Sequence, residues 1–129
     1  MSASLPRALF VCVQNAGRSQ MAQAFWEQLG GEGRSAGSAP AAHLHPEVVG
    51  AMAEVGLDVS GRTPRALTDA DAEWAEVVVT MGFGDACPYV PGRRYLDWEL
   101  DDPAGRDMAT VRAVRDEIRR RVEGLAAGR

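Results

Sequence analysis

LFVCVQNAGRSQMA, residues 9–22, passes from a short apolar, β-branched run through a loop of small and polar residues into a helical pattern. The apolar run ends at a single cysteine, Cys12, and Arg18 and Ser19 open the helix. Backbone N–H groups in a tight loop and at a helix N-terminus point one way and carry partial positive charge, which makes a nest for an anion. Val13, Gln14, Asn15, Ala16 and Gly17 would supply the amides, with Ala16 and Gly17 letting backbone come close to a ligand. Arg18 adds a planar fork that grips two oxygens of a tetrahedral group at once. The same field favours a thiolate at Cys12. Ser19 could donate to the sulfur, and Asn15 could brace the loop through its side chain. A lone cysteine ending a strand is usually a small buried hydrophobe. The Cys-x5-Arg-Ser spacing between strand and helix tips the reading toward a nucleophile facing an oxyanion.

The rest of the chain alternates strand and helix. Residues 8–13 read as a buried strand, and residues 18–29 read as a helix with Met21, Phe25 and Leu29 on one face, stopped by Gly30 and Gly31. Residues 34–38 form a short strand candidate, and Pro46 opens a helix that runs to Glu54 and closes at Gly56. Thr68 is the expected cap of a short helix over residues 69–75. Residues 76–81 have the β-branched character of a parallel-sheet interior, and residues 94–98 suggest a last strand. Over residues 109–125, Val111, Val114, Ile118, Val122 and Leu125 mark one face of a long final helix. Such alternation predicts a three-layer α/β fold: a short parallel sheet with helices on both faces and its ligand at the carboxyl ends of the strands.

Composition agrees with a small enzyme. At 129 residues one domain spanning 1–129 is expected, with 46% hydrophobic and 25% charged residues. A net charge of -4 argues against a general nucleic-acid binder. Two cysteines, Cys12 and Cys87, do not make a disulfide scaffold. No apolar stretch approaches membrane-spanning length and the N-terminus lacks a signal-peptide core, so a cytoplasmic setting and no membrane partner are expected.

CVQNAGRSQMA at 12–22 resembles the active-site loop of arsenate reductases built on the low-molecular-weight protein tyrosine phosphatase fold. The similarity continues through SAGSAP at 35–40, AMAEVGLDVSGRTPRAL at 51–67 and VVVTMGFGDACPYVPGRRYLDWELDDPAG at 77–105. It implies that fold, a monomer, and reduction of arsenate with phosphate and sulfate as competing oxyanions. It also implies no bound cofactor, but a thiol reductant as co-substrate.

Two further residues take roles from this resemblance. An aspartate before proline is ordinarily a turn residue. In the family the aspartate preceding this proline is the general acid, which here is Asp102, while Asp101 reads as solvated or structural. The similar phosphatases follow the Asp-Pro pair with tyrosines and place proline after Arg-Ser. This chain has Ala104-Gly105 and Gln20, which favours a small inorganic anion. Cys87 is the only protein candidate for a second thiol. Thioredoxin-coupled relatives relay their disulfide through two further cysteines, and this chain keeps only the one before Pro88, with Phe83 in the other slot. Two routes stay open: direct attack by Cys87 with thioredoxin as reductant, or attack by an external thiol such as mycothiol, finished by a mycoredoxin or glutaredoxin-like partner. Glycines flanking Phe83 would allow the movement that the first route needs.

Other features carry less. His43 and His45 lack a third metal ligand and read as a solvated loop, so no metal is expected. Some relatives bind potassium beside the loop with an acid in the first helix, where this chain has Gln23. Trp26, Trp74 and Trp98 read as core or rim packing. Arg112, Arg115, Arg119, Arg120 and Arg121 read as a solvated face interleaved with Asp116, Glu117 and Glu123. The competing functions are a low-molecular-weight phosphatase and, in another class, a non-catalytic oxyanion-binding or redox-sensing protein.

Overall fold

The computed structural model describes residues 5–82 and 91–128; Phe83, Gly84 and Cys87 lie outside the described residues. In chain order the elements are β1 (Ala8–Cys12), α1 (Arg18–Gln28), β2 (Gly33–Gly37), α2 (Pro46–Glu54), α3 (Asp69–Trp74), β3 (Val77–Thr80), β4 (Arg94–Asp97) and α4 (Met108–Ala126). Each expected element is present with its ends within one residue of the expectation. Helix starts are set by local chemistry. Pro46 occupies the first turn of α2, where its missing N–H costs nothing. The Thr68 side chain accepts from the Asp71 N–H while the Asp71 carboxylate accepts from the Thr68 N–H, a capping box. Asp107 caps α4 through the Thr110 N–H.

All strands run parallel in the order β2-β1-β3-β4. The chain leaves β1 toward β2 on one side and later returns to β3 on the other. The carboxyl end of β1 is therefore a switch point, where the connecting loops diverge and open a crevice. Residue alternation along β1 sorts its side chains between two cores. Ala8, Phe10 and Cys12 face the larger one, with Phe25 and Trp26 of α1, Val48 and Met52 of α2, and Val111, Ile118 and Val122 of α4. Leu9 and Val11 face a smaller one with Val78, Ala75 and Leu67 beside α3. Among the described residues, α1, α2 and α4 thus cover one face and the short α3 the other. Among the described residues no helix is long and apolar enough to cross a membrane.

Two side chains depart from the periodicity reading. Leu29 is 42% exposed, because α1 ends before it and it serves as the C-cap. Arg115 is buried, not solvated. Its guanidinium donates to the Ala51 carbonyl (2.9 Å) at the C-terminal end of α2 and to Glu54 (2.8 Å). It therefore satisfies one of the orphan carbonyls of that helix end. The tryptophans pack in core and rim: Trp26 and Trp98 are buried, and Trp74 is half-buried beneath the Arg34 guanidinium.

Candidate active site

Residues 13–17 join β1 to α1 at the switch point. Their carbonyls are tied outward. The Val13, Gln14 and Ala16 oxygens accept from the backbone N–H groups of Ala39, Ala41 and His45 at 2.9, 3.0 and 3.0 Å. The Asn15 oxygen accepts from Gln20 Nε2 at 3.2 Å. In a trans peptide the N–H points opposite to the carbonyl before it. Outward carbonyls therefore turn the following amides, those of Gln14, Asn15, Ala16 and Gly17, toward the interior of the loop. Helix α1 adds its own N-terminus: its N-cap is Gly17, with no side-chain cap and no acid in the first turn. The first-turn amides are thus left for an anion.

Cys12 Sγ lies at the floor of this loop, 2% exposed and 2.9 Å from Ser19 Oγ. Ser19 Oγ accepts from Asn15 Nδ2 at 2.7 Å, which leaves the hydroxyl proton for the sulfur. Asn15 is held in turn: its Oδ1 accepts from Gln20 Nε2 (3.1 Å) and from the Arg65 backbone N–H (3.0 Å). At the mouth, Val13 and Gln14 are exposed, while residues 15–19 are buried.

Arg18 is 8% exposed and donates to the Leu100 carbonyl at 3.3 Å, which aims its guanidinium along the mouth. Asp102 Oδ2 stands 3.7 Å from Arg18 Nη2, and Asp102 Oδ1 accepts from the Ala104 N–H at 3.0 Å. The Asp102 carboxyl is half exposed, Asp101 is exposed, and the buried Pro103 closes over Gly17 with His45 and Val48. Cys12, Arg18, Ser19 and Asp102 therefore converge on one crevice. Cys87 is not among the described residues.

Two glycines make the close approach possible. A side chain at Gly37 of β2 would stand 2.5 Å from the Val13 carbonyl oxygen, so the loop can lie on β2 only over a glycine. Gly82, just past β3, has φ +67°, and a Cβ there would stand 2.7 Å from Arg18 Nη1.

The sequence reading passed over Arg65 and Asp71, and it used Gln20 only as a mark of substrate class, not as the brace of Asn15. Asp71 is 1% exposed and takes both carboxylate oxygens to Arg65 Nη2, at 2.7 and 2.9 Å. Burial pushes its pKa up, but Arg65 and the Thr68 hydrogen bonds outweigh burial and hold it below the ordinary value. The box Thr68-x-x-Asp71 was a visible signal for Asp71; nothing local marks its partner Arg65.

His43 is exposed, whereas His45 is half-buried against the loop rather than solvated. Among the described residues no three metal-ligating side chains cluster. A cation beside Gln23 does not fit this arrangement. Gln23 Oε1 already accepts from Ser35 Oγ (2.6 Å), and the Ser35 carbonyl accepts from the Arg65 guanidinium (2.8 Å).

A parallel α/β sheet with a Cys-x5-Arg nest at its switch point defines a class of proteins that can hold a tetrahedral oxyanion against a thiol. Residues 7–128 match the low molecular weight phosphotyrosine protein phosphatase family, and the chain belongs to that family. It is 44% identical over 124 residues to a Halobacterium salinarum protein provisionally named arsenate reductase, covering 90% of this chain and 87% of that protein. It is 34% identical over 128 residues to the glutaredoxin arsenate reductase of a Synechocystis species, covering 95% and 98%. Its fold matches that of a thioredoxin-dependent arsenate reductase from Corynebacterium glutamicum with a TM-score of 0.82 at 40% identity. That match covers 98% of this chain and 62% of the larger protein.

Proposed function

We propose that residues 1–129 form one domain that is a thiol-dependent arsenate reductase, with Cys12 as nucleophile. The inward amides of the 13–17 loop and the Arg18 fork bind arsenate, as they would the competing phosphate or sulfate. Ser19, whose oxygen is occupied by Asn15 Nδ2, donates its hydroxyl proton to the Cys12 sulfur. Cys12 Sγ attacks arsenic; an S–As bond forms, one As–O bond breaks, and Asp102 supplies the proton with which the departing hydroxide leaves as water. A second thiolate then attacks Cys12 Sγ. An S–S bond forms, the S–As bond breaks with its electron pair remaining on arsenic, and arsenic(V) leaves as arsenite. Phosphorus has no accessible two-electron reduction of this kind, so phosphate only competes.

The observation that carries this reading is the placement of Asp102-Pro103-Ala104-Gly105 over a Cys12–Arg18 nest. The acid reaches the clamp, and the residues after it bring no aromatic ring to grip a phosphotyrosine. The arsenate reductase names of the relatives support the same substrate, and two of those names carry glutaredoxin or thioredoxin dependence. A thiol redox partner follows from the electron balance, because the Cys12 disulfide must be reduced before another turnover. The second thiol is either Cys87 or an external low-molecular-weight thiol, with thioredoxin or a glutaredoxin-like protein completing the cycle. A reducing cytoplasm is the compartment that suits this chemistry.

The test is arsenic speciation with the purified chain and each thiol system in turn, beside an aryl phosphomonoester. Arsenite production that vanishes in Cys12→Ser, with slow phosphomonoester turnover, is expected. Phosphomonoester turnover at a comparable rate would make the chain a phosphatase. Oxyanion binding with no arsenite under any thiol would make it a sensor or binding protein.

A further inference from the structure

Asn15 is held in a conformation that side-chain-bearing residues rarely adopt. Its φ is +51°, the one positive value outside glycine among the described residues. Such a residue persists only where its surroundings over-determine it. Its Oδ1 receives the backbone N–H of Arg65, fifty positions away in sequence. That N–H is aimed by two sets of contacts. The backbone of residues 65–67 pairs with Gly37, whose N–H donates to the Arg65 carbonyl and whose carbonyl accepts from the Leu67 N–H, each at 2.9 Å. The Arg65 guanidinium spans the Ser35 carbonyl of β2 (2.8 Å) and the buried Asp71 carboxylate at the start of α3 (2.7 and 2.9 Å).

We propose that Arg65 is a positioning residue for the nucleophile: it locks the 65–67 segment between β2 and α3 so that its amide fixes Asn15, which orients Ser19 beneath Cys12. The inference rests on the proposed role of Cys12. It adds that the loop is preorganised from behind by a guanidinium that never touches substrate. A lysine has one point of charge and cannot span the carbonyl and both carboxylate oxygens. Arg34 supplies the control. It reaches the same Asp71 oxygen at 3.4 Å but lies on Trp74, with no bond to Ser35 or Asn15.

The experiment compares wild type, Arg65→Met, Arg65→Lys and Arg34→Met, all well below their unfolding temperatures. Three quantities are read: iodoacetamide alkylation of Cys12 at fixed pH, its protection by inorganic phosphate, and the KM–kcat split for arsenate. Arg65→Met should slow alkylation and weaken phosphate protection about tenfold or more, the scale expected when a reactive group is misplaced by a fraction of an ångström. KM should rise together with a fall in kcat. Arg65→Lys, which keeps the charge and serves if the methionine variant does not fold, should fall between. Millimolar guanidinium should partly rescue the methionine variant. Arg34→Met should lower the unfolding temperature while leaving alkylation and protection unchanged. A merely structural role would appear as lower unfolding temperatures for both arginine-to-methionine variants with unaltered alkylation and protection, and would overturn the inference. If wild type shows phosphate-protected alkylation but never releases arsenite, the arsenate reading fails while the Arg65 effect on alkylation still stands.

Discussion

Ser19 Oγ lies 2.9 Å from Cys12 Sγ, and its remaining hydrogen-bond geometry is satisfied by Asn15 Nδ2 at 2.7 Å. The serine proton therefore belongs to the sulfur. A hydrogen bond to a charged group contributes about 1.5–3 kcal/mol. Ser19→Ala should lower kcat/KM for arsenate roughly ten- to hundredfold at 1.36 kcal/mol per decade, with the fold intact by circular dichroism. Cys12 alkylation at neutral pH should slow in parallel. Unchanged alkylation would remove Ser19 from the mechanism.

Asp102 stands over the clamp, 3.7 Å from Arg18 Nη2, without being buried. Its removal should cost chemistry and not binding. Asp102→Asn should cut single-turnover arsenite release about 10²- to 10⁴-fold, the range of general acid catalysis. Phosphate protection of Cys12 should stay near the wild-type level. Equal losses in protection and rate would instead make Asp102 a partner that only orients Arg18.

Gly82 combines φ +67° with a Cβ position 2.7 Å from Arg18 Nη1. Gly82→Ala should lose about 1–2 kcal/mol of stability from the left-handed backbone alone. It should also push the guanidinium off the Leu100 carbonyl and raise KM for arsenate. Thermal unfolding and steady-state kinetics separate the two effects; stability loss with unchanged KM would show that Arg18 simply moves aside.

Glu54 joins α2 to α4 through Arg112 and Arg115, and their hydrogen bonds draw its pKa down from 4.5 to about 2. The folded value lies below the unfolded one, so folding favours the ionised form. That contribution is full above pH 4.5 and is lost as the pH falls through about 2. Glu54→Gln should lower the unfolding temperature at pH 7 and reduce its decline between pH 4.5 and 2. A parallel decline in both proteins would show that the pair contributes nothing there.

The sequence made the fold legible because its signals are local. The β-branched runs, Pro46, Gly56 and Thr68 each act on their own element, and Val111 through Leu125 repeat at helical spacing. Cys12, Arg18 and Ser19 are legible for the same reason, since one loop carries all three. Long-range pairing was not legible. Arg115 looked like one more arginine on a charged face until α2 brought the Ala51 carbonyl to it. Nothing in the sequence around Arg65 marks it, and only the pairing of residues 65–67 with Gly37 carries it to Asn15 and Asp71. His45 looked solvated because nothing in the sequence reveals that its N–H closes on the Ala16 carbonyl.

The most direct test of Cys12 as the nucleophile is a single turnover of fully reduced chain with arsenate and a small thiol. The reaction is quenched with an alkylating agent and read by peptide mass together with arsenic speciation. The mechanism predicts that Cys12 becomes disulfide-linked, to Cys87 or to the small thiol, in step with the arsenite released. Arsenite appearing while Cys12 remains fully alkylatable would contradict it.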